Sequence, residues 1–189
     1  KRNIQGTVII RENSSGNNIV VATYSENDNI ERKLPIENTP YFVGSVKKPL
    51  LLLSALSIDE NYKNFKVSDS TITQWIAHSS NNYTKMLLND ILSKHYLEFE
   101  EVLNEKFSFS FYSNSQISYS DYPKEYFYKN GNPRLDFIRS VGIGGNVKYS
   151  PMQVVDWYQK MSNLSFQNNE SFIREIMNSP LKFGSASKS

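Results

Sequence analysis

The sequence predicts an α/β chain of the α+β kind, with an antiparallel sheet and flanking helices beside an all-helical lobe. Three observations carry that reading. β-Branched runs cluster near the N-terminus, apolar residues at helical spacing dominate from Val46 onward, and neither cysteines nor a long apolar run point to another class. The 189 residues suffice for one domain with a sizeable core, and 39% hydrophobic with 13% aromatic residues is far richer than a disordered chain. A formal net charge of +2 offers no field to collect nucleic acid or acidic lipid, so neither is an expected partner. The lack of cysteine excludes disulfides, thiolate chemistry and Cys-type metal sites. No stretch approaches the roughly 20 apolar residues of a membrane span. The chain opens at Lys1 without an initiator Met or signal-peptide pattern, as expected of a mature or trimmed fragment.

Gly6–Ile10 and Ile19–Tyr24 are β-branched runs around Ser14-Ser15-Gly16-Asn17-Asn18, which predicts a β-hairpin. A polar stretch then leads through Pro35 and Pro40 to Tyr41-Phe42-Val43-Gly44-Ser45. From Val46 to Ser57 the apolar density predicts a buried helix opening at Ser45, with Pro49 tolerated in its first turn. Ser70–His78 forms a second helix with Ile72, Trp75 and Ile76 on one face. A third starts at about Asn82, and Ser79-Ser80-Asn81-Asn82 makes the junction between them. Phe107–Asn132 shows no sustained period and reads as a long loop. Leu135–Val141 reads as a short helix and Gly142–Tyr149 as a Gly-rich turn and strand. Pro151–Met161 reads as a helix capped by Ser150, and Glu170–Met177 as another.

Ser45-Val46-Lys47-Lys48 is the most informative tetrapeptide. A serine at a helix start and a lysine three residues later share one face, and unpaired N–H groups there favour an anion on or beside the serine. Burial would bring the Lys48 amine toward the pKa of a useful base, able to take the hydroxyl proton without a histidine. Ser179-Pro180-Leu181-Lys182 and Ser185-Ala186-Ser187-Lys188 satisfy the same spacing but lie in a stretch that reads as extended or loop. The plainer account of Ser45 is a helix cap, with Lys48 solvated beside it.

A second constellation changes that balance. Ser80-Asn81-Asn82, followed by Leu87-Leu88, together with Ser45-x-x-Lys48 and its preceding Phe42 and Gly44, resembles the serine β-lactamase and penicillin-binding protein superfamily. Ser79-x-Asn81 is a competing register, and the Leu87-Leu88 pair favours Ser80. Val141-Gly142-Ile143-Gly144-Gly145 and Tyr149-Ser150-Pro151-Met152-Gln153 are similar to the family's Gly-rich segment and the helix after it. The resemblance runs from about Gly6 to the end and implies a single β-lactamase-like domain over residues 1–189, its helical lobe spanning approximately 58–148. The family's Lys-Ser/Thr-Gly element is matched by Lys188-Ser189, with Lys182-Phe183-Gly184 as the alternative. Lys188-Ser189 implies that the chain is truncated before the Gly and the strands that normally follow.

The resemblance implies an acyl-enzyme on Ser45, formed with a β-lactam or a D-Ala-D-Ala-type peptidoglycan peptide. Lys48 would be the base, Ser80 would relay a proton to the leaving nitrogen, Asn82 would bind the substrate amide, and Lys188 and Ser189 its carboxylate. It implies no cofactor and an extracytoplasmic location. Between Phe107 and Asn132 no Glu-x-x-x-Asn element of class A lactamases occurs, and class D enzymes carry an apolar residue where Asn82 stands, so the subclass stays open. The rival reading is a catalytically inactive relative that binds peptidoglycan, a β-lactam or a protein. His78 and His95 are the only histidines, on or beside neighbouring predicted helices, and no metal is expected.

Overall fold

Strand-forming sequence at one end and helix-forming sequence further on give a mixed α+β structure, which among the described residues is largely helical with one small antiparallel sheet. The computed structural model describes residues 5–25, 35–39, 41, 44–106, 149–163 and 170–183. β1 (Gln5–Arg11) and β2 (Asn18–Ser25) form the hairpin, with Ile9 facing Val21 and Val8 facing Ala22. Its turn needs glycine at Gly16, where φ is +74° and an added Cβ would lie 2.7 Å from Gln159 Nε2.

The helix predicted to open at Ser45 opens later. Gly44–Lys47 is a 3₁₀ turn, and α1 (Lys48–Ile58) follows it with Pro49 in its first turn. An α-helix running through Ser45 would need a bond from the Pro49 nitrogen to the Ser45 carbonyl. Proline has no N–H to give, and its ring crowds the carbonyl four residues back. α1 is apolar on every side, as a helix enclosed by others must be, and Leu50–Leu56 are all buried.

α2 (Ile72–His78) starts in a reciprocal cap between Thr71 and Gln74, and α3 (Asn81–Lys94) follows after two residues. Leu87, Leu88 and Ile91 of α3 enter the core, and Trp75 stacks on Tyr83 with ring centroids 5.2 Å apart. Trp75 Nε1 donates to Thr84 Oγ1 at 2.7 Å, which satisfies the one polar atom of a fully buried indole. α4 (Tyr96–Glu101), which the sequence reading does not separate from its surroundings, runs into a wider turn at Val102–Lys106 and adds Phe99 and Leu103 to the same core.

α5 (Pro151–Asn163) begins in a cap where Ser150 Oγ accepts from Gln153 N–H and Gln153 Oε1 accepts from Ser150 N–H. Tyr149 just ahead of it pairs with Tyr41 through two backbone bonds of 2.9 Å. α6 (Glu170–Phe183) packs against α2 and continues through Ser179-Pro180-Leu181-Lys182, which the sequence reading takes as extended or loop. Pro180 leaves the Ile176 carbonyl without its helical donor. Ser179 Oγ supplies one at 2.7 Å, so the helix survives the proline. Lys182 is therefore helical and does not stand on a strand. Among the described residues, no helix is long and apolar enough to cross a membrane.

Candidate active site

Ser45 lies in the 3₁₀ turn and Lys48 at the first residue of α1. With about three residues per turn, positions three apart fall almost in line, so the serine and lysine stand one above the other. Their environments differ. Ser45 is exposed, whereas Lys48 is 2% exposed. Burial lowers the Lys48 pKa from its ordinary value of 10.5, because the cation loses water that the apolar helix cannot replace.

The group that joins them comes from the junction of α2 and α3. Ser79 Oγ lies 2.8 Å from Ser45 Oγ and 2.9 Å from Lys48 Nζ. Lys48 Nζ also donates to Asn81 Oδ1 at 2.9 Å and to the Ser79 backbone carbonyl. Lys48 Nζ donates to all three oxygens and Ser79 Oγ donates to Ser45 Oγ, the arrangement of an ammonium; once it has lost a proton, the amine has two N–H bonds and one lone pair. The carbonyl and the Asn81 amide oxygen can only accept, so they take the two N–H groups and leave the lone pair facing the Ser79 hydroxyl. A proton can then pass from Ser45 to Ser79 and from Ser79 to Lys48.

Ser79 reaches this position at a conformational cost. It is the left-handed residue that ends α2, with φ 53° and ψ 40°, a place glycine usually takes. Ser79 N–H bonds to Ile76 O at 3.3 Å and Ser80 N–H to Trp75 O at 3.2 Å, which closes the helix end and turns the Ser79 carbonyl and hydroxyl toward Lys48. Side chains in this backbone region cost about 1–3 kcal/mol and collect at functional sites.

The residues that meet Lys48 are not Ser80 and Asn82, the pair expected from the sequence. α3 begins at Asn81, one residue before the expected start, so Ser80 becomes its cap and the Ser80 hydroxyl accepts from Tyr83 N–H at 3.3 Å. Ser80 therefore faces its own helix, and Asn82 is exposed in the first turn. Ser79 and Asn81 are the residues that meet Lys48. The Leu87-Leu88 pair, offered as the guide to Ser80, is wholly buried and reports the core face of α3 instead. Lys188 and Ser189, expected to bind a substrate carboxylate, and the segments 107–148 and 184–189 lie outside the described residues.

Lys47 is absent from the sequence expectation. It is buried beside Tyr149, with Nζ 5.2 Å from the ring centroid, and burial brings its pKa down to about 8. A run of two lysines ordinarily signals a solvated face, so only tertiary packing reveals it. Neither a scan against protein-family models nor searches of curated proteins and solved structures finds a match to this chain.

Proposed function

We propose that the chain is a serine acyl-transferase of the β-lactamase and penicillin-binding type, with Ser45 as nucleophile. The observation that supports this most is the hydrogen-bonded chain from exposed Ser45 through Ser79 to buried Lys48, with Asn81 holding the amine. A nucleophile, a base with a lowered pKa and a hydroxyl between them is the minimum equipment for attack on a carbonyl at neutral pH.

In the proposed reaction, Ser45 Oγ bonds to the carbonyl carbon of a β-lactam or a D-Ala-D-Ala-type peptide. Its proton moves to Ser79, and the Ser79 proton to Lys48. The carbon–nitrogen bond then breaks, the leaving nitrogen takes a proton from Ser79, and Lys48 returns the one it stored. On this reading Ser79 takes the relay role that the family resemblance gave to Ser80, and Asn81 the substrate-amide role that it gave to Asn82. An extracytoplasmic location accords with such substrates.

The test is incubation with benzylpenicillin and mass measurement of the intact protein. Wild type is expected to gain one covalent adduct that Ser45→Ala lacks. Ser79→Ala should slow the adduct by about 10²–10⁴-fold, while Ser80→Ala stays within about tenfold of wild type. The rate should rise with pH until Lys48 is neutral, since the protonated amine accepts nothing. A folded wild type that forms no adduct from pH 6 to 10 would overturn the enzyme reading in favour of a binding module.

A further inference from the structure

The turn bearing Ser45 is gripped from its far side by residues outside the hydroxyl–amine chain. The Val46 carbonyl accepts a hydrogen bond from Tyr158 Oη at 3.0 Å. The next residue, Lys47, is 3% exposed and sets its ammonium over the Tyr149 ring. Tyr149 is fixed by its backbone pairing with Tyr41 and by Trp157, whose ring meets it edge-on at 4.6 Å. Trp157 and Tyr158 are neighbours on α5. Both residues between Ser45 and Lys48 are thus tied to α5 or to the residue pair that leads into it.

Such ties matter because a four-residue 3₁₀ turn has little stability of its own. An apolar side chain could fill the Lys47 site without desolvating a charge, so a buried lysine here is a costly way to fill space. Resting on the acyl-transfer reading, we propose that Tyr158 and Lys47 are positioning residues for Ser45. They form a two-point clamp that fixes the nucleophile's turn on α5 and aims the Ser45 hydroxyl at Ser79. Displacement of a reacting group by about 1 Å costs on the order of 10²-fold in rate, which sets the scale of the clamp's effect.

Two variants test it. Tyr158→Phe removes one hydroxyl from a ring that is 40% exposed, and Lys47→Met keeps an unbranched stem without the charge. Each is compared with wild type by hydrogen exchange over residues 44–48, by melting temperature, and by acylation with benzylpenicillin at several concentrations, which separates binding from the acylation step. The clamp predicts faster exchange in that segment, an acylation rate constant lowered about 10–100-fold, apparent binding within about twofold, and no fall in melting temperature for Lys47→Met. Wild-type exchange, or a wild-type acylation rate constant, in both variants overturns the proposal. A wild type that is never acylated sinks the acyl-transfer reading itself, and the positioning role with it. Unchanged rates in an acylated protein sink the clamp alone.

Discussion

Lys47 and Lys48 are adjacent, both are buried, and burial lowers both pKa values, yet their surroundings differ in kind. Lys48 has three oxygen partners at the α2–α3 junction, and one of the contacts of Lys47 is with the face of an aromatic ring. Burial brings the Lys47 pKa down to about 8 in the folded chain, from an ordinary value of 10.5 that applies once the chain unfolds. Between those values the unfolded state binds more protons, so stability rises with pH; below about 8 the whole cost of burying the cation is present. Lys47→Met removes this titration. The unfolding free energy of wild type relative to that variant should therefore grow by about 2 kcal/mol from pH 7.5 to pH 9.5, measured by urea denaturation. A difference that stays flat over that range would mean that Lys47 keeps its ordinary pKa.

At the scale of elements, the site depends on how α2 ends and α3 begins. Two residues separate the helices, and each has one job: Ser79 adopts the left-handed conformation and faces Lys48, and Ser80 caps α3. Ser79→Gly and Ser79→Ala both delete the hydroxyl that meets Ser45 and Lys48, but only glycine adopts φ 53° without a Cβ penalty. Ser79→Gly is expected to be more stable than Ser79→Ala by about 1 kcal/mol in denaturant unfolding, with acylation equally impaired in the two. Equal stability would mean that the junction relaxes out of the left-handed region once the hydroxyl is gone. The sequence displays the Ser-Ser-Asn-Asn cluster but not its register, because Ser and Asn are favoured at either helix end and local preference cannot choose between adjacent serines.

At the scale of the molecule, two bodies of structure meet around the turn that bears Ser45. One is the helical core around α1, with Trp75, Tyr83, Leu87 and Phe99; the other is the hairpin lying on α5. The hairpin is held by Arg11, whose guanidinium pairs with Asp156 and donates to Gln159 Oε1 at 3.2 Å, and by Gln159 and Asn163, whose amides donate to the Asn13 carbonyl. A two-stranded hairpin is marginal in water by itself, so these contacts decide whether it stays docked. Arg11→Ala should abolish hydrogen-exchange protection in β1 and β2 while α1 and α3 keep theirs, since the side-chain partners of Arg11 lie on β2 and α5 and not on α1 or α3. Loss of protection in α1 as well would show that hairpin and core unfold as one unit.

The sequence by itself determined the hairpin, the buried helix after Pro49, the cap at Ser150 and the Ser45–Lys48 pair, because each follows from local chemistry within a few residues. β-Branched runs flank a Gly and Asn turn, an unbroken apolar run must be enclosed, Ser-Pro opens a helix, and a spacing of three stacks two side chains. Tertiary structure alone decided that Ser79 rather than Ser80 bridges that pair, that Lys47 is buried against Tyr149, and that α6 continues through Pro180. Each of these depends on a partner at least thirty residues away or on a hydroxyl that replaces a missing N–H. The first two exist only once helices distant in the chain have packed together; the third is local, but a Ser-Pro pair serves a helix start or a loop as readily as a helix interior.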